Sequence, residues 1–293
     1  MFENIEREPV KYFPKYEPLE ESVGKVIENI NSRTGKPEFE TGLEVLDRGI
    51  FGLHRKEMVI LAARPGNGKS ALACQIGYNI ADAGHKVAII SLEMAKESIL
   101  ERMFAMSHEE DLNALMMGIK TERTLAKFEV FKNTLAGMKL RIIDDYCFTE
   151  DELYTLIDHL EFRPDVLILD HIQQIRIASS RLNERETMNN YLRFLKQLAM
   201  RHNISVLCCS QINRSGDESP TIASLKGTGY LEEIADYVLL MQLIKDKSDP
   251  YAKVMKCGLD IAKNRRGFCG YRTLEFEGRF CKFRNELGFG HQE

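Results

Sequence analysis

The sequence predicts an α/β fold, with a mostly parallel sheet flanked by helices and an antiparallel C-terminal edge, on three observations. Short apolar runs alternate with stretches of helical periodicity after residue 38. One run, "EMVILAA" (57–63), leads straight into the turn-forming "RPGNGKS" and then a helical stretch. From residue 237 onward, apolar runs follow one another without helices between them, as consecutive antiparallel strands do.

The elements follow in order. Residues 1–17 carry Pro9, Pro14 and several charges and read as an extended tail. In 18–32, Leu19, Val23, Val26, Ile27 and Ile30 recur at helical spacing, and "RTGKP" follows as a linker. This divides the chain into a tail with an amphipathic linker helix (1–37) and one domain (38–293). The stripe must be buried either on its own domain or on a neighbouring subunit, and its spacing alone favours neither. A strand at 57–63 precedes a helix from Ser70 to Ala83 closed by Gly84, and "KVAIISLE" (86–93) is the next strand. Residues 95–137 are expected to be mostly helical, their methionines packed in the core. "LRIID" (140–144) is a strand, and Thr149 with Glu152 forms a capping box for a helix reaching Leu160. Strand "DVLILD" (165–170), a helix over 184–201 and strand "ISVLCCSQ" (204–211) continue the alternation. The closing strands are "YVLLMQL", "GLDIAKNR", "YRTLEFEG" and "RFCKFRN", the last two joined by a two-residue hairpin at Gly278-Arg279.

Composition narrows the function class. The 293 residues are 44% hydrophobic and 29% charged, enough apolar material for a sizeable core. No apolar run approaches the ~18 residues of a membrane span, and the charged N-terminus lacks a secretory core, so no membrane partner and a cytoplasmic location are expected. Seven cysteines without a CxxC pair read as buried, reduced thiols, and seven scattered histidines show no metal-ligand spacing. A net charge of −4 means that any nucleic-acid contact must come from local basic loops.

The chemistry centres on the turn after the first strand. A phosphate-binding loop asks for Gly, four residues, then Gly-Lys-Ser/Thr, and here Ala63 stands at the first glycine. Ala63, Arg64, Pro65, Gly66, Asn67, Gly68, Lys69 and Ser70 nonetheless lie between a strand and a helix, where backbone N–H groups and the helix dipole face an anion. Lys69 would reach the β- and γ-phosphates of ATP, and the Ser70 hydroxyl would ligate Mg²⁺. Asp170, ending its apolar strand, is placed to hold the Mg²⁺ shell through water. Glu93, ending another, could orient the attacking water, although as an acid ahead of a helix it has a purely structural reading too. Gln211 ends a third strand, where a neutral amide can sense the γ-phosphate.

The runs "ARPGNGKS", "SLEM", "LILDHIQQI", "CSQINR" and "AKNRRG" occur in that order. Together they resemble the C-terminal ATPase domain of DnaB-type replicative helicases over roughly residues 38–285. The resemblance implies a RecA-like P-loop NTPase fold, and a homohexamer with ATP sites at its subunit interfaces. It also implies that Ala63 is a family feature. By the same resemblance Lys69 and Ser70 bind phosphate and Mg²⁺, Glu93 is the catalytic carboxylate, Asp170 the Walker B acid and Gln211 the sensor. Lys263 and Arg265 match a basic pair that reaches the neighbouring subunit's ATP. Residues 18–32 match a linker helix that docks on an adjacent subunit. Single-stranded DNA is the implied partner, with 5′→3′ movement, and a primase and a helicase loader are candidate partners.

The chain also departs from the family. No counterpart of its N-terminal domain precedes residue 38, as expected of a truncated chain or of a compact phage or plasmid form in a bacterial host. His171 stands where Tyr is common, and "SLKGTG" (224–229) replaces a more charged run. Loops 176–186 and 213–229 are expected to face DNA, with Arg176, Arg181, Arg185, Arg214 and Lys226 as candidate contacts. A recombinase or recombination mediator, and an oligomeric regulatory ATPase, are the competing readings.

Overall fold

The computed structural model describes residues 18–31, 34–144, 150–174, 184–212, 220–221, 229–244 and 252–286. It divides into two units, 1–36 and 37–293. The first holds helix α1 (Leu19–Asn31), whose stripe of Leu19, Val23, Val26, Ile27 and Ile30 is more than half exposed at every position.

The second unit is built on nine strands: β1 (Met58–Ala63), β2 (Val87–Ser91), β3 (Leu140–Ile143), β4 (Val166–Asp170), β5 (Ser205–Gln211), β6 (Tyr237–Ile244), β7 (Val254–Asn264), β8 (Gly270–Glu277) and β9 (Lys282–Asn285). Their order in the sheet is β3-β2-β4-β5-β1-β6-β7-β8-β9. The first six are parallel, and β7 to β9 continue antiparallel. This is the predicted α/β fold with a mostly parallel sheet and an antiparallel C-terminal edge.

Strands buried on both faces explain the unbroken apolar runs. Along β1, Val59, Leu61 and Ala63 enter one core while Met58, Ile60 and Ala62 enter the other. The first core is covered by α3 (Lys69–Asp82), α4 (Lys96–His108) and α6 (Glu122–Gly137), the second by α7 (Glu150–His159) and α8 (Glu184–His202). Helix α3 lies close on the sheet because Gly77 has no side chain there. A Cβ at Gly77 would come within 2.8 Å of Ile168 Cδ1.

Several elements differ from expectation. Short helices α2 (Glu44–Ile50), α5 (Leu112–Met116) and α9 (Gly229–Ile234) had no separate signal, being too brief to show a period. Met103 and Met106 are buried as expected, but Met116 and Met117 are 70% and 75% exposed, because the chain breaks at α5 and turns them outward. The β8–β9 connection has four residues rather than two: Glu277 pairs with Lys282 across a 3-10 turn, with Cys281 in the left-handed region. Thr149 of the expected capping box lies outside the described residues. Six cysteines are described, all unpaired; five are buried, but Cys269 is exposed near the β7–β8 turn. No described helix is long and apolar enough to cross a membrane.

Asp236 ties together the start of β1, the body of α8 and the end of β7. Its Oδ2 accepts from Met58 N at 2.8 Å and from Lys196 Nζ of α8, and its Oδ1 accepts from Arg265 Nη1 at 2.9 Å. Asp236→Ala strands the buried Met58 N–H and unpairs Lys196, at a cost of about 3 kcal/mol. Arg265→Ala removes a half-exposed partner and should cost less than about 1 kcal/mol. Urea unfolding of the two variants measures the difference, and equal losses would remove Asp236 as the anchor.

Candidate nucleotide site

Strand β1 ends at the fully buried Ala63. The chain then turns through Gly66 (φ +77°) and Gly68 (φ +79°), both left-handed, which glycine adopts without strain. At Gly68 even a strain-free Cβ would crowd Phe283 Cζ at 3.2 Å. Asn67 braces the turn: its Nδ2 donates to Arg64 O at 3.2 Å, and its Oδ1 accepts from Leu243 N of β6 at 2.8 Å. Helix α3 starts at Lys69 with no side chain capping its N-terminus, so those N–H groups are left for an anion. Gln75, nearly two turns on, pairs both its amide atoms with the backbone of Phe283 on β9, at 2.8 and 2.7 Å. The antiparallel edge thus holds the phosphate-loop helix.

Lys69 Nζ donates to Asp170 Oδ1 across the site, and both side chains are buried. Burial alone would raise Asp170. The Lys69 charge and hydrogen bonds from Lys69 and Ser70 outweigh it and hold the carboxyl below its usual range. Burial opposes the Lys69 charge in turn, but Cys209, then Asp170 and Glu93, raise it above the ordinary lysine value. Burial pushes up the neighbouring thiols Cys74, Cys208 and Cys209, Cys74 to about 12, so near neutral pH they are uncharged. One hydroxyl and one carboxylate, adjacent and hydrogen-bonded, fit Mg²⁺ of the kind that takes its remaining oxygens from phosphates and water.

Glu93 lies two residues beyond β2. Its turn is held by Ser91, whose Oγ accepts from Met94 N at 3.0 Å and donates to Met94 O at 2.8 Å. Leu92 N donates to Asp170 O at 2.7 Å. In register, Ser91 faces Asp170 and Ala63 faces Gln211, so the strand ends bring Glu93, Asp170, Gln211 and the loop to one edge of the sheet. This is the edge at which parallel α/β sheets bind ligands.

A side chain that motif reading treated only as a departure sits at the centre. His171 is buried, with Nε2 3.1 Å from Glu93 Oε2 and 2.9 Å from Gln211 Nε2, and Nδ1 3.1 Å from Gln173 Oε1. Burial, then the Lys69 charge, holds His171 below its usual range, so the ring is neutral near pH 7 and its contact with Glu93 is not an ion pair. Ser91, Gln173 and His171 lie in the matched runs without a role of their own there, and the register of the strands brings them to the loop.

Lys263 and Arg265 lie elsewhere. Lys263 pairs with Val238 and Asn264 with Tyr237, beside Val59 at the start of β1, at the opposite edge from the phosphate loop. Lys263 Nζ donates to Glu233 O at 3.2 Å, and Arg265 is held by Asp236. Neither can serve its own chain's loop. Arg176, Arg181, Arg214 and Lys226 lie outside the described residues, as does the side chain of Arg185 near the start of α8.

Comparisons with known proteins point to one family. The family model for the DnaB-like helicase C terminal domain matches residues 39–285. A probable plasmid replicative DNA helicase of Chlamydia psittaci is 32% identical over 256 residues, covering 83% of this chain and 54% of that one. The replicative DNA helicase DnaC of Bacillus subtilis (strain 168) is 28% identical over 294 residues, covering 97% and 62%. The chain thus spans little more than half the length of these relatives. Among solved structures, an isolated ATPase domain has a TM-score of 0.82 at 22% identity, covering 92% of this chain and 99% of that one. A DnaB-like replicative helicase studied with primase has a TM-score of 0.81 at 23% identity, covering 92% and 68%. At these identities the structures establish the fold, and it is RecA-like.

The pair of buried charges makes a pH prediction. Asp170 is lowered, so its contribution to stability is present above about 3.8 and lost as pH falls through the lowered value. Lys69 is raised, so its contribution is present below about 10.5 and lost as pH rises through the raised value. Between these limits the parent is insensitive to the pair. Lys69→Met leaves Asp170 buried without its counter-charge, so burial raises it, and the variant loses stability as pH climbs from about 3.8 towards that raised value. Its deficit against the parent should grow as pH rises above about 3.8 and level off past the raised value, measured by urea unfolding. A deficit independent of pH would show that Lys69 does not set the Asp170 charge.

Proposed function

The chain belongs to the DnaB-like helicase C terminal domain family, and from that premise we propose that it is the ATP-hydrolysing motor of a replicative DNA helicase. On this reading it encircles single-stranded DNA as a homohexamer and moves 5′→3′. The observation that carries the reading is the division of ionic groups between two edges of one sheet. Lys69, Ser70, Asp170, Glu93 and Gln211 gather at one, and Lys263 and Arg265 stand at the other.

ATP binds with its phosphates against the uncapped start of α3, and Lys69 turns from Asp170 to the β- and γ-phosphates. The Ser70 hydroxyl and, through water, Asp170 would hold Mg²⁺, which would supply neutralisation of the phosphate charge. Glu93 orients and polarises the attacking water, and Gln211 registers the γ-phosphate. Arg265, with Lys263, reaches the γ-phosphate bound by the next subunit and stabilises charge developing in the transition state. The apolar stripe of α1 docks on a neighbouring subunit. Loops 176–186 and 213–229 track the DNA phosphates, through Arg176, Arg181, Arg185, Arg214 and Lys226. A primase and a loader are the proposed further partners, and the bacterial cytoplasm the proposed location. A recombinase would form filaments and leave a fork intact, and a regulatory ATPase would assemble without unwinding.

Unwinding of a forked duplex with Mg²⁺ and ATP, alongside particle shape by electron microscopy, tests the motor. Glu93→Gln should bind ATP as the parent does and lose at least about 100-fold in turnover, together with unwinding. Normal turnover in that variant would displace Glu93 from its role, and ATPase activity without unwinding would favour the regulatory reading.

Arg265→Ala should fold, bind nucleotide and assemble, yet hydrolyse ATP about 10³-fold more slowly. Mixing it with Glu93→Gln subunits creates interfaces that pair an intact Glu93 with an intact Arg265. Activity should therefore return and peak at intermediate ratios, in assembled rings only. No return at any ratio, when exchanged parent rings remain active, would rule out action across the interface.

A further inference from the structure

We infer that His171 is a positioning residue that holds the Gln211 amide in place while leaving Glu93 untethered, an inference that rests on the roles proposed for Gln211 and Glu93. The side-chain amide of Gln173 is fixed by the end of β5. Its Oε1 accepts from Gln211 N at 3.1 Å, and its Nε2 donates to Ser210 Oγ at 2.8 Å and to Gln211 O at 3.4 Å. With both ends committed, the amide cannot flip, and it is the oxygen that faces His171 Nδ1 at 3.1 Å. An oxygen there requires a donor, so Nδ1 carries the ring hydrogen and Nε2 is the acceptor.

Two groups reach for that one lone pair. The Gln211 side-chain amide, at 2.9 Å, donates to it. The Glu93 carboxylate, at 3.1 Å, has no hydrogen to offer, so it rests against the ring without bonding to it. Glu93 remains free to swing to the water, and Gln211 is held at the end of β5. The ring acts through Gln211 and need not touch the phosphates.

Two substitutions separate the ring nitrogens. In His171→Asn the amide stands near Nδ1, so the Gln173 contact is kept and the acceptor for Gln211 is lost. In His171→Gln the amide reaches the Nε2 position and supplies an oxygen to Gln211. The Asn variant should lose about 10-fold or more in kcat with KM for ATP within about twofold, and the Gln variant should stay within about threefold of the parent. In a Gln211→Ala background the two should become equal. Equal activities in the parent background, or a difference that survives Gln211→Ala, would overturn the inference.

A measurement on the unmutated protein guards against misfolded variants. The ¹⁵N spectrum of its histidines should show His171 protonated at Nδ1 and bare at Nε2, and the opposite tautomer would also overturn it. Glu93→Gln assayed in parallel separates the two levels. Normal turnover there means the assigned roles fail, whereas lost turnover with equal Asn and Gln variants means only the His171 inference fails.

Discussion

The buried pair of Lys69 and Asp170 is the constraint on which the site depends. These residues belong to elements that are not neighbours in the sheet, since β5 lies between β1 and β4. Joining them requires the loop after β1 to fold back over the strand ends, and this places Ser70 against the same carboxylate. Such a pair adds little net stability, because desolvating two charges offsets most of their attraction. Its consequence is chemical. The protein carries a lysine whose charge is already satisfied, which on the proposed reading is handed to an incoming phosphate, and an acid that stays ionised although buried.

The rest of the structure protects that arrangement. Asn67 ties the loop to β6, Gln75 ties the helix to β9, and Phe283 fills the space beneath Gly68. The antiparallel strands are therefore the support of the phosphate loop as well as an appendage to the parallel sheet. On the other side, the Ser91 turn and Leu92 N tie the Glu93 segment to the end of β4. The Asn67, Gln75 and Ser91 braces each bond a polar side chain to backbone, which fixes position without long flexible arms.

Much of this was legible in the sequence, for physical reasons that vary by element. Strands buried on both faces leave unbroken apolar runs, and the loop must combine glycines with Lys69 and Ser70 to accept phosphate, so these declared themselves. Glu93, Asp170 and Gln211 were visible because each ends such a run. Helices α2, α5 and α9 were not, since five to seven residues span too few turns to show a period. The exposure of Met116 and Met117 depends on a break at Gly118 that composition does not reveal. His171 and Gln173 could not be assigned because their meaning lies in hydrogen bonds to Ser210 and Gln211, about 40 residues on and joined to them by register alone.

The placement of Arg265 is what the proposed sharing of chemistry between subunits requires. A side chain at the start of β1's edge cannot reach a loop at its far end, a full strand length away. In one chain, Arg265 rests on Asp236 in a half-exposed ion pair, the kind worth little in free energy. Releasing it therefore costs little, and Asp236 keeps Met58 N and Lys196 when it goes. The fold stays anchored whether the arginine is docked at home or turned towards a neighbour. An isolated subunit would then hold ATP at one edge while its own arginine idled at the other, so fast hydrolysis would wait for assembly. On the proposed reading, coupling the rate to the interface in this way would let each hydrolysis event be felt by two subunits at once, as a ring moving in sequence along a strand requires.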